Sequence, residues 1–333
     1  MLPLSIFQSD LERLIAAAGV RLRFNEPMAL HTSFHVGGSA DVFFEPENET
    51  EIRQAVGFCR QNGWPWTILG NGSNILVSDR GIRGLVLVIG EAFSGIEING
   101  SVLTARAGTR LASLASFAAK NGLAGLEFAS GIPGTLGGAI LMNAGAYGCC
   151  MSDIIQKTDF LDTDLEKRQI EGAAHQFAYR QSIFSEQEGI ILGAQLALRP
   201  DDSGTIMARM ADLACRRRQS QPLDLPSAGS AFKRPPNHFA GKLISDCHLK
   251  GLQVGAAQVS EKHAGFIVNL GQATAVDIRT LIDKVRSVVA AETGVCLEPE
   301  IRFIGDWQNW PAEPPRCDSG SPAKEGKAWM SSS

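Results

Sequence analysis

Two short segments, far apart along the chain, carry residue types that could do chemistry. The first, Gly70-Asn71-Gly72-Ser73-Asn74, lies between the apolar runs Trp66–Leu69 and Ile75–Val77. A glycine turn between two strands leaves backbone N–H groups free, and such a turn can accept phosphate oxygens. No Gly-Lys-Ser/Thr follows, so the turn is not a P-loop. The segment therefore predicts a pyrophosphate site, and a tight hairpin without a ligand is the alternative.

The second segment, residues 226–235, predicts a proton donor beside an anion site. It places the hydroxyl of Ser230 in a turn of small residues, three positions before Lys233 and four before Arg234. Between the two segments, residues 131–148 contain six glycines. Each glycine costs up to ~1 kcal/mol in a helix, so this stretch predicts irregular backbone that passes close to a large ligand.

One arginine and two glutamates are candidates for anion and acid chemistry. Arg180 follows Tyr179, and a guanidinium can hold a carboxylate in a planar two-point contact. A solvent-exposed arginine is the alternative. Glu298 and Glu300 flank Pro299 in a predicted strand over residues 297–304, where both would point to the same face. Spacing alone does not choose between the two carboxylates, and a solvated edge strand is the alternative.

Composition is that of an ordinary globular protein. The chain has 333 residues, 44% hydrophobic and 20% charged, with a net charge of −4. This length predicts two or three subdomains, and this charge gives no reason to expect a nucleic-acid or membrane partner. We expect no signal peptide and no membrane span, because no window approaches ~18 uninterrupted apolar residues. The seven cysteines lack C-x-x-C spacing, which predicts reduced thiols, no metal site and a cytoplasmic location.

Hydrophobic periodicity predicts the elements that position these residues. Helices are predicted at 50–61, from Leu111 to Gly122, and at 276–292 with Gly294 as its cap. Strands are predicted at 41–44, within 96–107, at 159–161, at 189–198 and at 297–304. The residues after Gly305 show no periodicity and predict a disordered tail.

Taken together, these segments resemble the UDP-N-acetylenolpyruvoylglucosamine reductase (MurB) family over residues 29–305. The shared motifs are His31-Thr32-Ser33 with Gly37-Gly38, residues 69–74, residues 131–147, Tyr179-Arg180-Gln181-Ser182, residues 228–233, Lys262-His263-Ala264-Gly265-Phe266 and Leu297-Glu298-Pro299-Glu300. One branch of the family carries a tyrosine on an extra loop of the third domain. The only tyrosines here, Tyr147 and Tyr179, lie inside other motifs, so the chain is similar to the branch that lacks that loop.

The resemblance implies an α+β fold with a two-lobed FAD-binding domain of the vanillyl-alcohol-oxidase/PCMH type and a smaller α/β substrate-binding domain. The implied divisions are residues 1–88 for the first lobe, 89–222 for the second, 223–305 for the substrate domain and 306–333 for a disordered tail. The implied enzyme is a UDP-N-acetylmuramate dehydrogenase with FAD and NADPH as cofactors. It would be a cytoplasmic monomer that serves peptidoglycan synthesis, and through it cell-wall biogenesis, cell shape and cell division.

The resemblance also implies a mechanism and a set of residues. NADPH reduces FAD, which delivers a hydride to the vinyl carbon of UDP-N-acetylglucosamine enolpyruvate, and Ser230 supplies the proton. Arg180 and Glu300 stabilise the negative charge that develops on the substrate carboxylate. The implied cofactor-binding residues, with the pyrophosphate on the turn and the flavin against residues 132–139, are Leu69, Gly70, Asn71, Gly72, Ser73, Asn74, Ile132, Pro133, Gly134, Gly137, Gly138, Ala139, Asn143, Gly145 and Arg302. The implied substrate-binding residues are Tyr179, Arg217, Lys233 and His263.

Two other classes of function stay open at this point. The first is another FAD-dependent oxidoreductase of the same fold that acts on an alcohol or a sugar. The second is a noncatalytic protein that binds nucleotide sugars and keeps a vestigial flavin site. The presence of Arg180, Ser230 and Glu300 together argues against the second.

Overall fold

The computed structural model describes residues 4–15, 21–308 and 310. Its helices are α1 (Leu4–Leu14), α2 (Glu49–Gln61), α3 (Leu111–Lys120), α4 (Leu136–Leu141), α5 (Ser203–Ser220), α6 (Ala240–Asp246) and α7 (Ala275–Thr293). Its strands are β1 (Leu22–Pro27), β2 (Ser39–Phe44), β3 (Trp66–Leu69), β4 (Ile75–Val77), β5 (Ile82–Val88), β6 (Ile96–Asn99), β7 (Val102–Arg106), β8 (Leu123–Ala124), β9 (Gly145–Ala146), β10 (Cys149–Cys150), β11 (Ile155–Leu161), β12 (Lys167–Glu171), β13 (Ile190–Ala197), β14 (Arg199–Pro200), β15 (Gln253–Val254), β16 (Ala257–Val259), β17 (Ile267–Asn269) and β18 (Arg302–Ile304). Within the described residues, no helix is both long and apolar enough to cross a membrane.

The first lobe is a four-stranded sheet in the order β1-β2-β5-β3. β2 and β3 run parallel to β5, and β1 runs antiparallel to β2. Helix α2 connects β2 to β3, and its first turn is capped by Asn48, whose side chain accepts a hydrogen bond from the N–H of Glu51. This crossover brings the carboxyl end of β3, and with it the glycine turn after Leu69, to the edge of the sheet.

The second lobe is a five-stranded antiparallel sheet in the order β12-β11-β13-β7-β6. It shares one hydrophobic core with the first lobe, because the largest buried cluster includes Phe44 and Leu87 from one sheet and Leu103 and Leu196 from the other. Because the two lobes share a core, the predicted domain boundaries, 88/89 between the lobes and 222/223 before the third unit, stay predictions. The predicted α+β fold class agrees with this mixture of helices, parallel strands and antiparallel strands.

The third unit packs α6 and α7 on a small antiparallel sheet, β15-β16-β17. A capping box between Thr274 and Asp277 starts α7, and Gly294 ends it in the left-handed conformation at φ 72°. Strand β18 returns to the first lobe and pairs in parallel with β4. The carboxylate of Asp79 in the first lobe also accepts hydrogen bonds from the N–H groups of Ala275 and Val276, at 2.8 and 3.0 Å. The third unit is thus joined to the first lobe at the N-terminus of α7 and along β18.

The prediction of irregular backbone throughout residues 131–148 is wrong for its middle, where α4 forms a short helix. The reason is packing that overrides the low helix propensity of glycine. A Cβ on Gly137 would lie 3.1 Å from the Cβ of Ala107, so only glycine lets the helix lie this close to the end of β7. Residues 131–134 before α4 are irregular, as predicted, whereas Gly145–Ala146 after it form the short strand β9.

The predicted strand over 297–304 is correct only for its last part, β18. Residues 298–300 are extended and pair with the chain near Phe232 through a single bridge at Pro299. Proline has no N–H to donate, which limits the pairing there. Strand β12 and helix α5 were not predicted, because their sequences are largely polar and carry no clear apolar period.

Two further expectations are corrected. Cys296 is disulfide-bonded, whereas the free cysteines of the described residues are Cys59, Cys149, Cys150, Cys215 and Cys247. Spacing along the chain cannot reveal which thiols meet in space, so the prediction that all were reduced is wrong for Cys296.

The predicted disordered tail is also wrong at its start. Asp306 forms an ion pair with Arg80 at 2.9 Å, and the indole N–H of Trp310 donates to Asp283 at 3.0 Å. The composition of the whole tail gave no sign of these contacts, because the few aromatic and charged side chains at its start are outnumbered by the small and polar residues that follow. The remainder of the prediction falls on residues 309 and 311–333, which lie outside the described residues.

Candidate active site

A cleft of about 490 Å³ lies where the two lobes and the third unit meet. The first lobe contributes the turn after β3, the second contributes the glycine-rich segment around α4 and the third contributes residues near Ser230. The predicted residues that line it are Leu69, Gly70, Asn71, Gly72, Ser73, Asn74, Ile132, Pro133, Gly134, Gly137, Gly138, Ala139, Gly145, Arg180, Arg217, Ser230, Glu300 and Arg302. The fold thus brings together segments separated by more than two hundred residues of sequence.

The glycine turn at 70–74 is not a hairpin, because its flanking strands belong to different sheets: β3 pairs with β5, and β4 pairs with β18. No hydrogen bond joins the backbone N–H groups of Asn71, Gly72, Ser73 or Asn74 to another described residue. Gly72 has φ 63°, and a Cβ there would lie 1.9 Å from the carbonyl oxygen of His31. The turn therefore presents unpaired backbone donors to the cleft, which is the arrangement that binds phosphate oxygens.

A second wall of the cleft is the glycine-rich segment around α4. A Cβ added to Gly134 or Gly138 would meet no protein atom closer than 3.7 Å, so each glycine leaves space on the cleft side. Gly70 instead abuts Thr135, whose Oγ1 would lie 2.5 Å from an added Cβ. These two walls fit a long, flat dinucleotide with a diphosphate, as FAD is.

Arg180 and Glu300 form an ion pair across the cleft. Arg180 Nε donates to Glu300 Oε1 at 2.6 Å, and the other end of the guanidinium donates to the carbonyl of Gly145 at 3.3 Å. Arg180 occupies the left-handed region at φ 57°, in a tight turn closed by Ala178 and Gln181. A non-glycine residue in this region is strained by about 1–2 kcal/mol. The strained turn aims the guanidinium out of the second lobe toward the third unit.

Burial distinguishes the two glutamates that sequence spacing could not separate. The side chain of Glu298 is 69% exposed and pairs with Lys233, whereas the side chain of Glu300 is 13% exposed and lines the cleft. Burial raises the pKa of Glu300 above its usual value, although the charges of Arg180 and Lys233 oppose that rise. Glu300 is therefore the buried carboxyl group of the two and the one whose pKa burial shifts toward the protonated form.

Ser230 lies beside Glu300 on a neighbouring extended segment. The N–H of Glu300 donates to the carbonyl of Ala231 at 2.9 Å, and Ser230 itself bridges to Phe266. The Ser230 hydroxyl forms no hydrogen bond with the other described residues and belongs to the cleft lining. A free hydroxyl, a buried carboxyl and a guanidinium thus face one space, which can protonate a carbon next to a carboxylate.

The cleft has an excess of positive charge. Arg180, Arg217 and Arg302 line it, and Glu300 is the one acidic residue among the described residues of the lining. Burial lowers the pKa of Arg217, whose side chain lies over Gly131. A buried cation is costly without an anion beside it, so this excess suits a ligand that carries a diphosphate.

Four predicted site residues do not line the cleft. Asn143 is buried behind it and is fully used within the protein, donating to the carbonyl of Ala178 and accepting from the N–H of Ser152. Asn143 therefore holds the glycine-rich segment in place without contacting the cleft.

The other three predicted residues lie around the cleft. The hydroxyl of Tyr179 accepts from the N–H of Arg234, and Lys233 pairs with the exposed Glu298. His263 accepts from the N–H of Gly265, and burial lowers its pKa.

Sequence reasoning missed several lining residues. Thr135, Gln221, Ala228 and Gly229 line the cleft. Thr135 occupies the N-cap position of α4, and a threonine before a short apolar run is the signal that could have located it. Ala228 and Gly229 lie within the segment 226–235 that the sequence marks, whereas Gln221 carries no signal of its own.

The comparisons with known proteins agree with this geometry. A family model described as "FAD binding domain" matches residues 40–166, and one described as "UDP-N-acetylenolpyruvoylglucosamine reductase, C-terminal domain" matches residues 221–304. The cleft and the first of these matches define the class: a flavoprotein whose two-lobed FAD-binding domain is joined to a smaller α/β domain. The predicted fold class is confirmed.

Relatives of similar length narrow the class further. The UDP-N-acetylenolpyruvoylglucosamine reductase of Caldanaerobacter subterraneus subsp. tengcongensis is 46% identical over 286 residues, which are 86% of this chain and 94% of that one. The reductase of Listeria monocytogenes is 45% identical over 287 residues, with 86% and 96% covered. The crystal structure of the enzyme from Thermus caldophilus superposes with a TM-score of 0.72 at 36% identity, covering 84% of this chain and 97% of that one. The chain belongs to the UDP-N-acetylenolpyruvoylglucosamine reductase family.

Proposed function

We propose that this protein is an NADPH-dependent flavoenzyme that reduces UDP-N-acetylglucosamine enolpyruvate to UDP-N-acetylmuramate. The observation that carries the proposal is the convergence of Arg180, Glu300 and Ser230 on one glycine-walled, positively charged cleft. Membership of the reductase family supports this reaction over oxidation of an alcohol or sugar on the same fold.

The two walls of the cleft would hold FAD, with its pyrophosphate on the free amides of residues 71–74 and its flavin beside residues 132–139. Bound FAD, once reduced by NADPH, supplies the hydride that the vinyl carbon of the substrate receives. Arg302 adds a cation to the same cleft. Arg217, buried over Gly131, is placed to bind the diphosphate of the nucleotide sugar.

Hydride addition to the terminal vinyl carbon leaves negative charge on the neighbouring carbon and on its carboxylate. Arg180 would bind that carboxylate through the guanidinium edge that now contacts Glu300. A protonated Glu300 would donate a hydrogen bond to the same oxygens, because donors placed where charge develops lower the barrier most. Ser230 Oγ would then give its proton to the carbanion and complete the lactyl ether.

The remaining substrate-binding assignments concern the rim of the cleft. Tyr179 lies next to Arg180, and Lys233 is close enough for its charge to act on Glu300. We assign both to the part of the nucleotide sugar that extends out of the cleft. His263 packs edge-on against Phe266, which lines the cleft, so its role is to position that ring.

The test is a single mixing experiment. Purified protein with bound FAD is mixed with NADPH and the enolpyruvyl nucleotide sugar, and the loss of nicotinamide absorbance is followed. Consumption of NADPH that requires the nucleotide sugar supports the proposal. A colourless protein that refuses added FAD, or NADPH loss that only oxygen drives, would exclude it. We further propose that the enzyme acts as a cytoplasmic monomer in cell-wall synthesis, which light scattering and fractionation would test.

A further inference from the structure

One polar side chain in the cleft is used by neither the fold nor the reaction proposed above. Gln221 follows the last residue of α5, and its side chain lines the cleft. Its Oε1 is buried and has no hydrogen-bond partner among the described residues. A buried acceptor that stays unpaired is destabilising, so a donor is expected at this position when the cleft is filled.

The position of Gln221 indicates which part of a ligand it meets. It lies one helical turn after Arg217, and its N–H donates to the carbonyl of Arg217 at 2.9 Å. The stem of Arg217 covers Gly131, with its Cδ 3.1 Å from where a Cβ would be. Gly131 immediately precedes Ile132, the start of the wall assigned to the flavin ring. Gln221 therefore lies beside Arg217, whose side chain borders the wall assigned to the flavin ring.

An amide side chain matches an imide edge. Its oxygen accepts one hydrogen bond and its nitrogen donates two, whichever way the amide is turned. The pyrimidine ring of a flavin presents a carbonyl, an N–H and a second carbonyl in a row along one edge. Gln221 can accept from that N–H and donate to one flanking carbonyl at the same time. Uracil carries the same edge, so the nucleotide end of the substrate is the second source of this chemistry.

We propose that Gln221 recognises the imide edge of the bound flavin, accepting a hydrogen bond from its N–H and donating one to an adjacent carbonyl. The inference rests on the proposed function, because it requires FAD in the cleft. In this role Gln221 affects the affinity for FAD and the midpoint potential of the flavin, and it takes no part in proton transfer. The consequence is visible in the holoenzyme before any substrate is added.

The test compares Gln221→Leu and Gln221→Glu with Gln219→Leu, an exposed glutamine on the same helix. In Gln221→Leu we expect the Kd for FAD to rise about five- to tenfold, the equivalent of one hydrogen bond of ~1 kcal/mol. The visible spectrum and the midpoint potential of the flavin should shift as well. Gln221→Glu keeps the size of the side chain but adds a negative charge, so it should lower the potential. Gln219→Leu should match the wild type in every measurement.

The other outcomes are equally informative. Gln221→Leu and Gln221→Glu that both bind FAD with wild-type affinity, spectrum and potential would overturn the inference. If instead only the Kd for UDP rises, the imide that Gln221 meets is uracil, and the assignment to flavin is wrong. If Gln221→Leu fails to fold, the midpoint potential of the flavin in Gln221→Glu alone decides whether the inference holds. A wild-type protein that binds no FAD defeats the proposed function itself, whereas wild-type turnover with silent Gln221 variants defeats only this inference.

Discussion

The paired substitutions Glu300→Gln and Glu298→Gln give the sharpest test of the site. The two residues are separated by one proline, and the same change of one atom is made at each. Glu300→Gln keeps a hydrogen-bond donor but removes the acid and the ionic partner of Arg180. Glu298→Gln removes only an exposed pair with Lys233. Because the chemical change is the same, any difference in rate between the two variants arises from the different positions of the two glutamates.

The structure sets the expected magnitudes. Loss of one positioned donor in a buried site slows a reaction by about 10²–10³, so substrate-driven flavin reoxidation should fall at least ~10²-fold in Glu300→Gln. An exposed ion pair contributes about 0–1 kcal/mol, so the reoxidation rate of Glu298→Gln should stay within about fivefold of the wild type. Both variants should bind FAD and accept hydride from NADPH at wild-type rates, because neither glutamate lies on the pyrophosphate turn.

Burial of Glu300 adds a pH signature. Its pKa is raised above the ordinary value of 4.5, so the native state keeps the proton to higher pH than the unfolded chain does. Its favourable contribution to stability is therefore present below pH 4.5 and is lost as pH rises through the raised pKa. If the protonated carboxyl group is the active form, the rate of flavin reoxidation should fall over the same rise in pH. This fall in rate should be absent in Glu300→Gln.

Stopped-flow absorbance of the flavin separates the two half-reactions for each variant. Slow reoxidation in Glu300→Gln alone, with normal reduction, is the expected result. A defect in Glu298→Gln alone would mean that the exposed carboxylate is the catalytic one, against the burial difference. Equal and full activity in both would refute the role of a carboxyl group, leaving Arg180 and Ser230 to stabilise the intermediate.

Three other substitutions test separate parts of the reasoning. Ser230→Ala should slow reoxidation by about 10²–10⁴ and leave reduction by NADPH unchanged in stopped flow; equal slowing of both would make Ser230 structural. Gly72→Ala should abolish FAD binding measured by fluorescence, because its Cβ would clash with His31. The control is Gly100→Ala, which has φ 60° and open space and should lower the free energy of unfolding by only about 1–2 kcal/mol. Equal effects of the two substitutions would contradict the clash. Truncation after Gly305 removes an ion pair and two packed tryptophans and should lower Tm by at least ~4 °C in calorimetry; an unchanged Tm would show that this packing contributes nothing.

Sequence reasoning located most of the cleft because its chemistry lies in short contiguous motifs. The turn at 70–74 and the segment from 228 to 233 are each continuous in sequence; glycines mark the first, and a run of small residues before Lys233 marks the second. Long elements with strong apolar periods, such as α2 and α7, were predicted to within a residue or two. For these parts the local pattern and the tertiary structure agree.

The rest depended on contacts that no local pattern encodes. The choice of Glu300 over Glu298 follows from burial, and burial is decided by where the third unit docks. The short helix α4 packs against Ala107 so closely that a Cβ at Gly137 would lie 3.1 Å from the Cβ of Ala107, and only the folded structure shows this contact. The disulfide at Cys296 and the packing of Trp307 against Phe303 depend in the same way on approach in space.

The same dependence on contacts in space applies to the ion pair of the site, which is shared between two units of the fold. Arg180 belongs to the second lobe and Glu300 to the third unit, so their pair exists only while the third unit is docked. Docking relies on the parallel pair of β4 and β18 and on a side-chain contact from the turn itself: Asn74 Nδ2 donates to the carbonyl of Glu300 at 3.1 Å. The segment proposed to hold the cofactor pyrophosphate thus also holds the backbone of Glu300, the glutamate proposed as the acid. Movement of this turn would therefore shift Glu300 relative to Arg180, which couples cofactor binding to placement of the acid.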